Sequence, residues 1–142
     1  MPNKYYRLFD HTADLGIEIS GADPEALFTN AGHALFEVIA PSVRLPVEGL
    51  RRHTISVQGE DWADLMVNWL RELLYLWNGR QQLLGQLRIE SLDQNRLQAA
   101  VTTGDYIVGQ YRIDKEVKAV TYHQVQVGPT NDGWRARVIF DV

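Results

Sequence analysis

Trp62, Leu65, Met66, Trp69, Leu70, Leu73, Leu74 and Trp77 recur at helical spacing, while Asp64, Asn68, Arg71 and Asn78 fall elsewhere. That pattern predicts an amphipathic helix over 61–77 with a wide, aromatic stripe that must be buried against a large surface. Gly59-Glu60-Asp61 places acids ahead of it, where the helix dipole favours them, and Gly79 is a C-terminal stop. Tryptophans at this spacing read as core and not as a base-stacking platform. A second stripe, Leu27, Phe28, Ala31, Ala34, Leu35, Val38 and Ile39, follows Asp23-Pro24 and ends at Pro41. Asp23 is a good N-cap, Pro24 suits the first helical position, and Pro41 cannot continue a helix. His33, within this helix, reads as a surface residue.

The rest of the chain reads mainly as strands. Tyr6 to Phe9 is a short one, and Leu15, Ile17 and Ile19 then alternate with Gly16, Glu18 and Ser20. Ile55 and Val57 alternate within 53–58, and Leu87 and Ile89 within 87–90. Asp93-Gln94-Asn95 turns the chain into 97–101, and 106–113 is an extended stretch or a loop. Val120 and Tyr122 are out of phase with Val125 and Val127, which places a bulge near His123 or Gln124. After a turn at 128–133, Trp134, Ala136, Val138, Phe140 and Val142 share one strand face, with Arg135, Arg137, Ile139 and Asp141 on the other. No internal repeat and no linker is visible. The expected architecture is a single α+β domain over 1–142, a two-layer sandwich in which a mixed β-sheet carries both amphipathic helices on one face.

Charge and composition narrow the function. With 14 Lys+Arg against 18 Asp+Glu, the net charge of -4 argues against a general nucleic-acid binder, though not against a local basic face. The absence of cysteine removes disulfides, thiolate chemistry and cysteine zinc sites. No run approaches the ~18–20 apolar residues of a membrane span, and the N-terminus lacks a signal-like apolar region. The expectation is a cytoplasmic protein with no membrane partner.

The chain has no P-loop, dinucleotide glycine fingerprint, Gly-x-Ser-x-Gly elbow or His-Glu-x-x-His helix. Two acidic places stand out. In Asp10-His11-Thr12-Ala13-Asp14, two carboxylates and an imidazole leave a strand together; they suit turn capping, a hard cation or acid–base work. In Phe140-Asp141-Val142 the final α-carboxylate lies next to the Asp141 side chain, and the pair is either solvated or answered by a cation. If the two places meet, several oxygens converge in a way that suits Ca²⁺ or Mg²⁺. His123 is a third candidate, and Lys115, Lys118, Arg135 and Arg137 compose a small basic face that is either solvated or able to dock phosphate.

Taken in order, these segments resemble the archease family. The resemblance rests on His11-Thr12-Ala13-Asp14-Leu15-Gly16, on Gly59-Glu60-Asp61 opening a helix with Trp69-Leu70-Arg71-Glu72-Leu73-Leu74, on Val117-Lys118-Ala119-Val120-Thr121-Tyr122-His123, and on the terminal Phe140-Asp141-Val142. It spans nearly the whole chain. One segment departs: Gly104-Asp105-Tyr106 and Arg112-Ile113-Asp114 only approximate the family's step before the Thr-Tyr-His strand.

Archeases are small partner proteins of the GTP-dependent RNA-splicing ligase that joins tRNA halves. The resemblance implies an accessory protein and not an enzyme, one that promotes guanylylation of the ligase histidine and repeated turnover and meets RNA at most indirectly. It implies a divalent cation, Ca²⁺ or Mg²⁺/Mn²⁺, held by Asp14, Asp141 and Val142. His11, Asp10 and His123 are candidates to surround that cation, and Lys118, Arg135 and Arg137 to meet the ligase. The rival expectation is an autonomous metal-dependent hydrolase, a phosphatase or nuclease, using the same acids with His11 and His123. A general chaperone is a third reading and requires the helix at 61–77 to be exposed.

Overall fold

The computed structural model describes residues 5–11 and 14–142, with His11 described by its backbone alone. The elements run β1 (Tyr6–His11), β2 (Asp14–Gly21), α1 (Pro24–Ile39), β3 (Arg51–Gln58), α2 (Trp62–Asn78), β4 (Gln82–Asp93), β5 (Arg96–Asp105), β6 (Ala119–Thr130) and β7 (Gly133–Asp141).

Two strand–turn–helix units obey the same local rules. Asp23 and Asp61 are the N-caps, accepting from the backbone N–H of Ala26 and of Asp64, both at 2.8 Å. Before each cap stands a glycine, Gly21 or Gly59, where a Cβ would fall about 2.4–2.5 Å from the backbone nitrogen of Leu27 or Leu65. One turn further, Asn30 donates to the carbonyl of Ser20 and Asn68 to that of Gln58, at 2.8 and 2.7 Å. Each amide thus ties its helix back to the strand it left. The shared positions are few and the stripe residues between them differ, so the two units acquire a common meaning only through these hydrogen bonds.

The α+β sandwich expected from the sequence is what forms, and its strands divide into two antiparallel sheets. One has the order β1-β2-β7-β6, the other β3-β5-β4. The division follows from the two units: β2 lies in one sheet and β3 in the other. Each helix then packs against its own strand and one from the opposite sheet, α1 on β2 and β4, α2 on β3 and β6. Contact on two sides explains why both buried arcs exceed a single stripe. In α1 the arc includes Gly32 and Phe36, and in α2 Val67 and Leu76.

The core gathers Trp69, Phe28, Leu70, Leu73, Ile17, Ile19 and Phe140, none more than about 1% exposed. Because the stripe of α2 is buried, the exposed helix face that a general chaperone needs is not offered. No helix among the described residues is long and apolar enough to cross a membrane.

Element boundaries shift where the chain is polar. β4 begins at Gln82, earlier than the alternation at 87–90 shows, because register shifts between Leu84 and Leu87 and between Ile89 and Ser91 break its phase. Gln82 and Thr103 are buried polar side chains there, and they satisfy each other: the Thr103 hydroxyl donates to Gln82 Oε1 at 2.8 Å. The bulge placed near His123 is present. Thr121 pairs with Ile139 and the next pair is Gln126 with Arg137, with Gln124 at φ 52° between them. This bulge and Pro129 mark β6 as an edge strand that another strand cannot easily extend. His33 is half-buried, and burial lowers its pKa.

Candidate functional site

The ladder of the four-stranded sheet decides which acids meet. His11 pairs with Asp14 and Leu15 with Phe140, so one step further along that register brings Asp14 beside Asp141. Asp141 pairs in turn with Ala119, and the Lys118 N–H donates to the Asp141 carbonyl at 2.7 Å. Four strand ends therefore form one row, with Asp14 and Asp141 on adjacent strands about 5 Å apart. Strand alternation sends both carboxylates to the outer face, away from the helices, because Leu15, Ile17, Val138 and Phe140 face inward. Asp141 and Val142 are exposed, and Asp14 is half-buried.

Other anticipated residues lie elsewhere. Asp10 pairs with Leu15 and so belongs to the inward-facing set, on the side of the sheet opposite the two carboxylates. His123 sits in the β6 bulge, opposite the stretch between Ile139 and Arg137. Thr12, Ala13 and the His11 side chain lie outside the described residues. Lys118 is exposed beside Asp141, whereas Arg135 and Arg137 stand further along β7, toward its start. Among the described residues no three His, Asp or Glu side chains gather closely enough to hold a metal ion. A cation on this row would therefore draw on the two carboxylates, a main-chain oxygen, and donors from water or a partner.

Next to the row the outer face is apolar. Phe9 lies across its partner Gly16, where a Cβ would fall 2.1 Å from the ring. Ile139 pairs with Gly16 on the other side and, though outward-facing, is fully buried. The Arg137 guanidinium covers the Phe9 ring at 4.0 Å. We expect Gly16→Val to expel Phe9 and cost about 1–3 kcal/mol, as overpacking does. Phe9→Ala on the same chain should recover much of that loss in a thermal melt, and strict additivity of the two changes would refute the contact.

The bulge is anchored from the helix side. The Tyr122 hydroxyl donates to Asp64 Oδ1 at 2.8 Å and lies 3.3 Å from Asn68 Oδ1; Arg71 stacks over the ring at 4.6 Å and donates to the Val120 carbonyl at 3.1 Å. The Glu60 N–H and the Tyr122 hydroxyl together hold the Asp64 carboxyl below the usual carboxylate range, and the same bond raises the Tyr122 phenol. Because the folded-state value is depressed, this stabilisation is present above the ordinary carboxylate pKa and is lost as pH falls through the lower folded one. Tyr122→Phe should move the Asp64 titration upward, part of the way to normal, since the Glu60 bond remains. Carboxyl NMR checks this, and an unmoved titration would show that the hydroxyl does not matter. Nothing in the chain's local pattern singled out Tyr122, Asp64 and Arg71 together, because Tyr122 follows Asp64 by 58 residues and β6 meets α2 only in the folded chain.

Comparison with known proteins follows the same span. Residues 6–142 match the model of the Archease protein family (MTH1598/TM1083). The chain is 32% identical to the Protein archease of Methanosarcina barkeri, over 98% of this chain and 97% of that one. It is 33% identical to the Protein archease of Pyrococcus furiosus, covering 94% and 96%. The solution structure of Methanobacterium thermoautotrophicum protein 1598 superposes with a TM-score of 0.75 at 29% identity, covering 99% of this chain and 100% of that one.

Proposed function

This chain belongs to the archease family, and from that premise we propose that it is an accessory protein of a GTP-dependent RNA-splicing ligase, acting in tRNA splicing in the cytoplasm. It promotes guanylylation of the ligase histidine and lets the ligase turn over repeatedly, and it performs no covalent chemistry of its own. The observation that supports this reading most is the strand-end row: Asp14 and Asp141 stand one step beyond the Leu15–Phe140 pair on adjacent strands, and Val142 follows Asp141 in the chain. These are the positions at which the family resemblance implies a metal.

The donor set fits a hard divalent cation, Ca²⁺ or Mg²⁺/Mn²⁺: two carboxylates on adjacent strands, with a Val142 main-chain oxygen next to one of them. Such a cation, when bound, offsets phosphate charge at the nucleotide pocket of the ligase. The chain's own residues supply rigidity. Both acids stand on hydrogen-bonded strands, and the Lys118 N–H fixes the Asp141 carbonyl. Phe9, Gly16 and Ile139 lie next to the row on the same sheet face and present apolar surface there. The exposed edge of the row leaves the cation's remaining positions to the partner.

The test is transfer of labelled GTP onto the ligase histidine with and without this chain. Faster or more complete labelling supports the reading. Unchanged labelling, with a ligase that responds to its own archease, overturns it.

A further inference from the structure

Beyond the saddle formed by Phe9 and Ile139, the outer face of the four-stranded sheet changes sign. Glu18 on β2 is shared by three arginines: Arg7 at 3.3 Å, Arg135 at 3.8 Å and Arg137 at 4.0 Å. One carboxylate cannot neutralise three guanidinium groups, and two positive charges are left in excess. By register, the other outward positions in this half are Ser20, Gln126, Gly128 and Thr130, and none carries a charge. Between β7 and the edge strand β6 runs an open furrow of about 390 Å³, lined by Glu18, Arg135, Arg137 and the segment 126–130. Gly128 leaves its floor clear, with nothing within 4 Å of where a Cβ would stand.

We propose that this furrow binds the phosphate backbone of a single-stranded RNA, with Arg135 and Arg137 as the contacting residues and Arg7 adding to the field. The spacing of the arginines favours an extended polyanion over a point anion, and their chemistry favours phosphate. Arg135 and Arg137 project from alternate positions of one strand, about 7 Å apart along it, and Arg7 stands two strands away. Guanidinium forks match phosphate oxygens two at a time. The Phe9 ring holds the Arg137 fork in place before any ligand arrives, so less side-chain entropy is lost on binding. The net charge of -4 is spread over the whole molecule and does not describe this face. The choice of RNA over another polyanion rests on the ligase reading, in which the chain works beside an RNA end.

The experiment uses this chain without any ligase, titrated into a fluorescent single-stranded RNA at several salt concentrations, with GTP and a polyglutamate peptide as competitors. Wild type should bind with a steep salt dependence, and Arg135→Gln with Arg137→Gln should reduce the slope of log affinity against log salt by about 1.4, the single-strand value for two lost phosphate contacts. Glu18→Gln should tighten binding, because it removes the internal competitor for both arginines, and a misfolded variant would not do that. RNA that fails to bind at low salt, or binding that ignores all three substitutions, overturns the proposal. Displacement by GTP at equal phosphate concentration replaces the extended track with a single-phosphate site, and preference for polyglutamate reassigns the face to an acidic protein; either result refutes RNA as the ligand. A chain that binds RNA here but leaves the ligase unaffected removes the partner reading alone.

Discussion

Asp14→Ala and Asp141→Ala should each abolish divalent-cation binding in a calorimetric titration that detects it in wild type. The two carboxylates stand on neighbouring strands, each one step beyond the Leu15–Phe140 pair, so a cation held as proposed above would be shared between them with neither a spare. Removing one leaves a single carboxylate and a main-chain oxygen against the cost of dehydrating the ion. Residues that only orient metal ligands cost 10–100-fold when lost, so a direct ligand should cost on the order of a hundredfold or more. The fold should survive both changes, because Asp141 is exposed and neither acid lies in the core. Asp10→Ala is the internal control: it sits one residue from the row but on the inward-facing side, and should leave the affinity unchanged. Equal losses at Asp10 and Asp14 would mean that strand alternation does not organise the site.

The second large effect is on stability. Trp69 is completely buried on α2, and its indole N–H donates to the Phe28 carbonyl of α1 at 2.9 Å. The helices come close here because Gly32 has no side chain; a Cβ on it would meet Leu87 at 2.6 Å and Leu73 at 2.9 Å. Trp69→Ala therefore empties a site whose walls belong to both helices and cannot easily collapse. The expected cost is about 3–5 kcal/mol, which lowers the melting temperature by on the order of 15 °C. Trp69→Phe keeps most of the volume and loses the hydrogen bond, so it should cost roughly 1–2 kcal/mol. A melting temperature within a few degrees of wild type for Trp69→Ala would show that the two-helix contact is not where the core is held.

Much of this was legible from residue order. The helix stripes, the Asp23 cap, the hairpin turn before Trp134 and the bulge near Gln124 all announce themselves locally, since each depends on neighbours within a few positions; Asp61 read only as an acid at a helix start, and its cap is seen in the bond from the Asp64 N–H. What periodicity cannot express is partnership. Alternation in β2, β3, β5 and β7 reads the same whether the strands join one sheet or two, and only the pairing of β2 with β7 and β3 with β5 separates them. The recurrence of Gly21, Asp23, Leu27 and Asn30 in Gly59, Asp61, Leu65 and Asn68 was open to inspection but needed the hydrogen bonds of the two asparagines to acquire meaning.

The site divides along the same line. The sequence raised a convergence of Asp14 with Asp141 conditionally, and the ladder runs to Leu15–Phe140, one step short of both acids. Asp10 looked equivalent to Asp14 because both flank the same turn, yet an even number of residues apart on two paired strands says nothing of facing until the register is known; Asp10 pairs with Leu15, which turns inward. Arg135 and Arg137 were visible as a basic strand face. Their third member, Arg7, and the carboxylate that holds all three, Glu18, are far from them in sequence and meet only across β1, β2 and β7.

The most direct measurement is multiple-turnover joining of RNA by a cognate ligase with GTP and a divalent metal, run without this chain, with wild type, and with Asp14→Ala or Asp141→Ala. The expected result is several turnovers with wild type and a return to the rate of the ligase alone with either variant. Stimulation that persists in both variants would contradict the role given to the strand-end acids, and no stimulation by wild type, beside a ligase that responds to its own archease, would contradict the function itself.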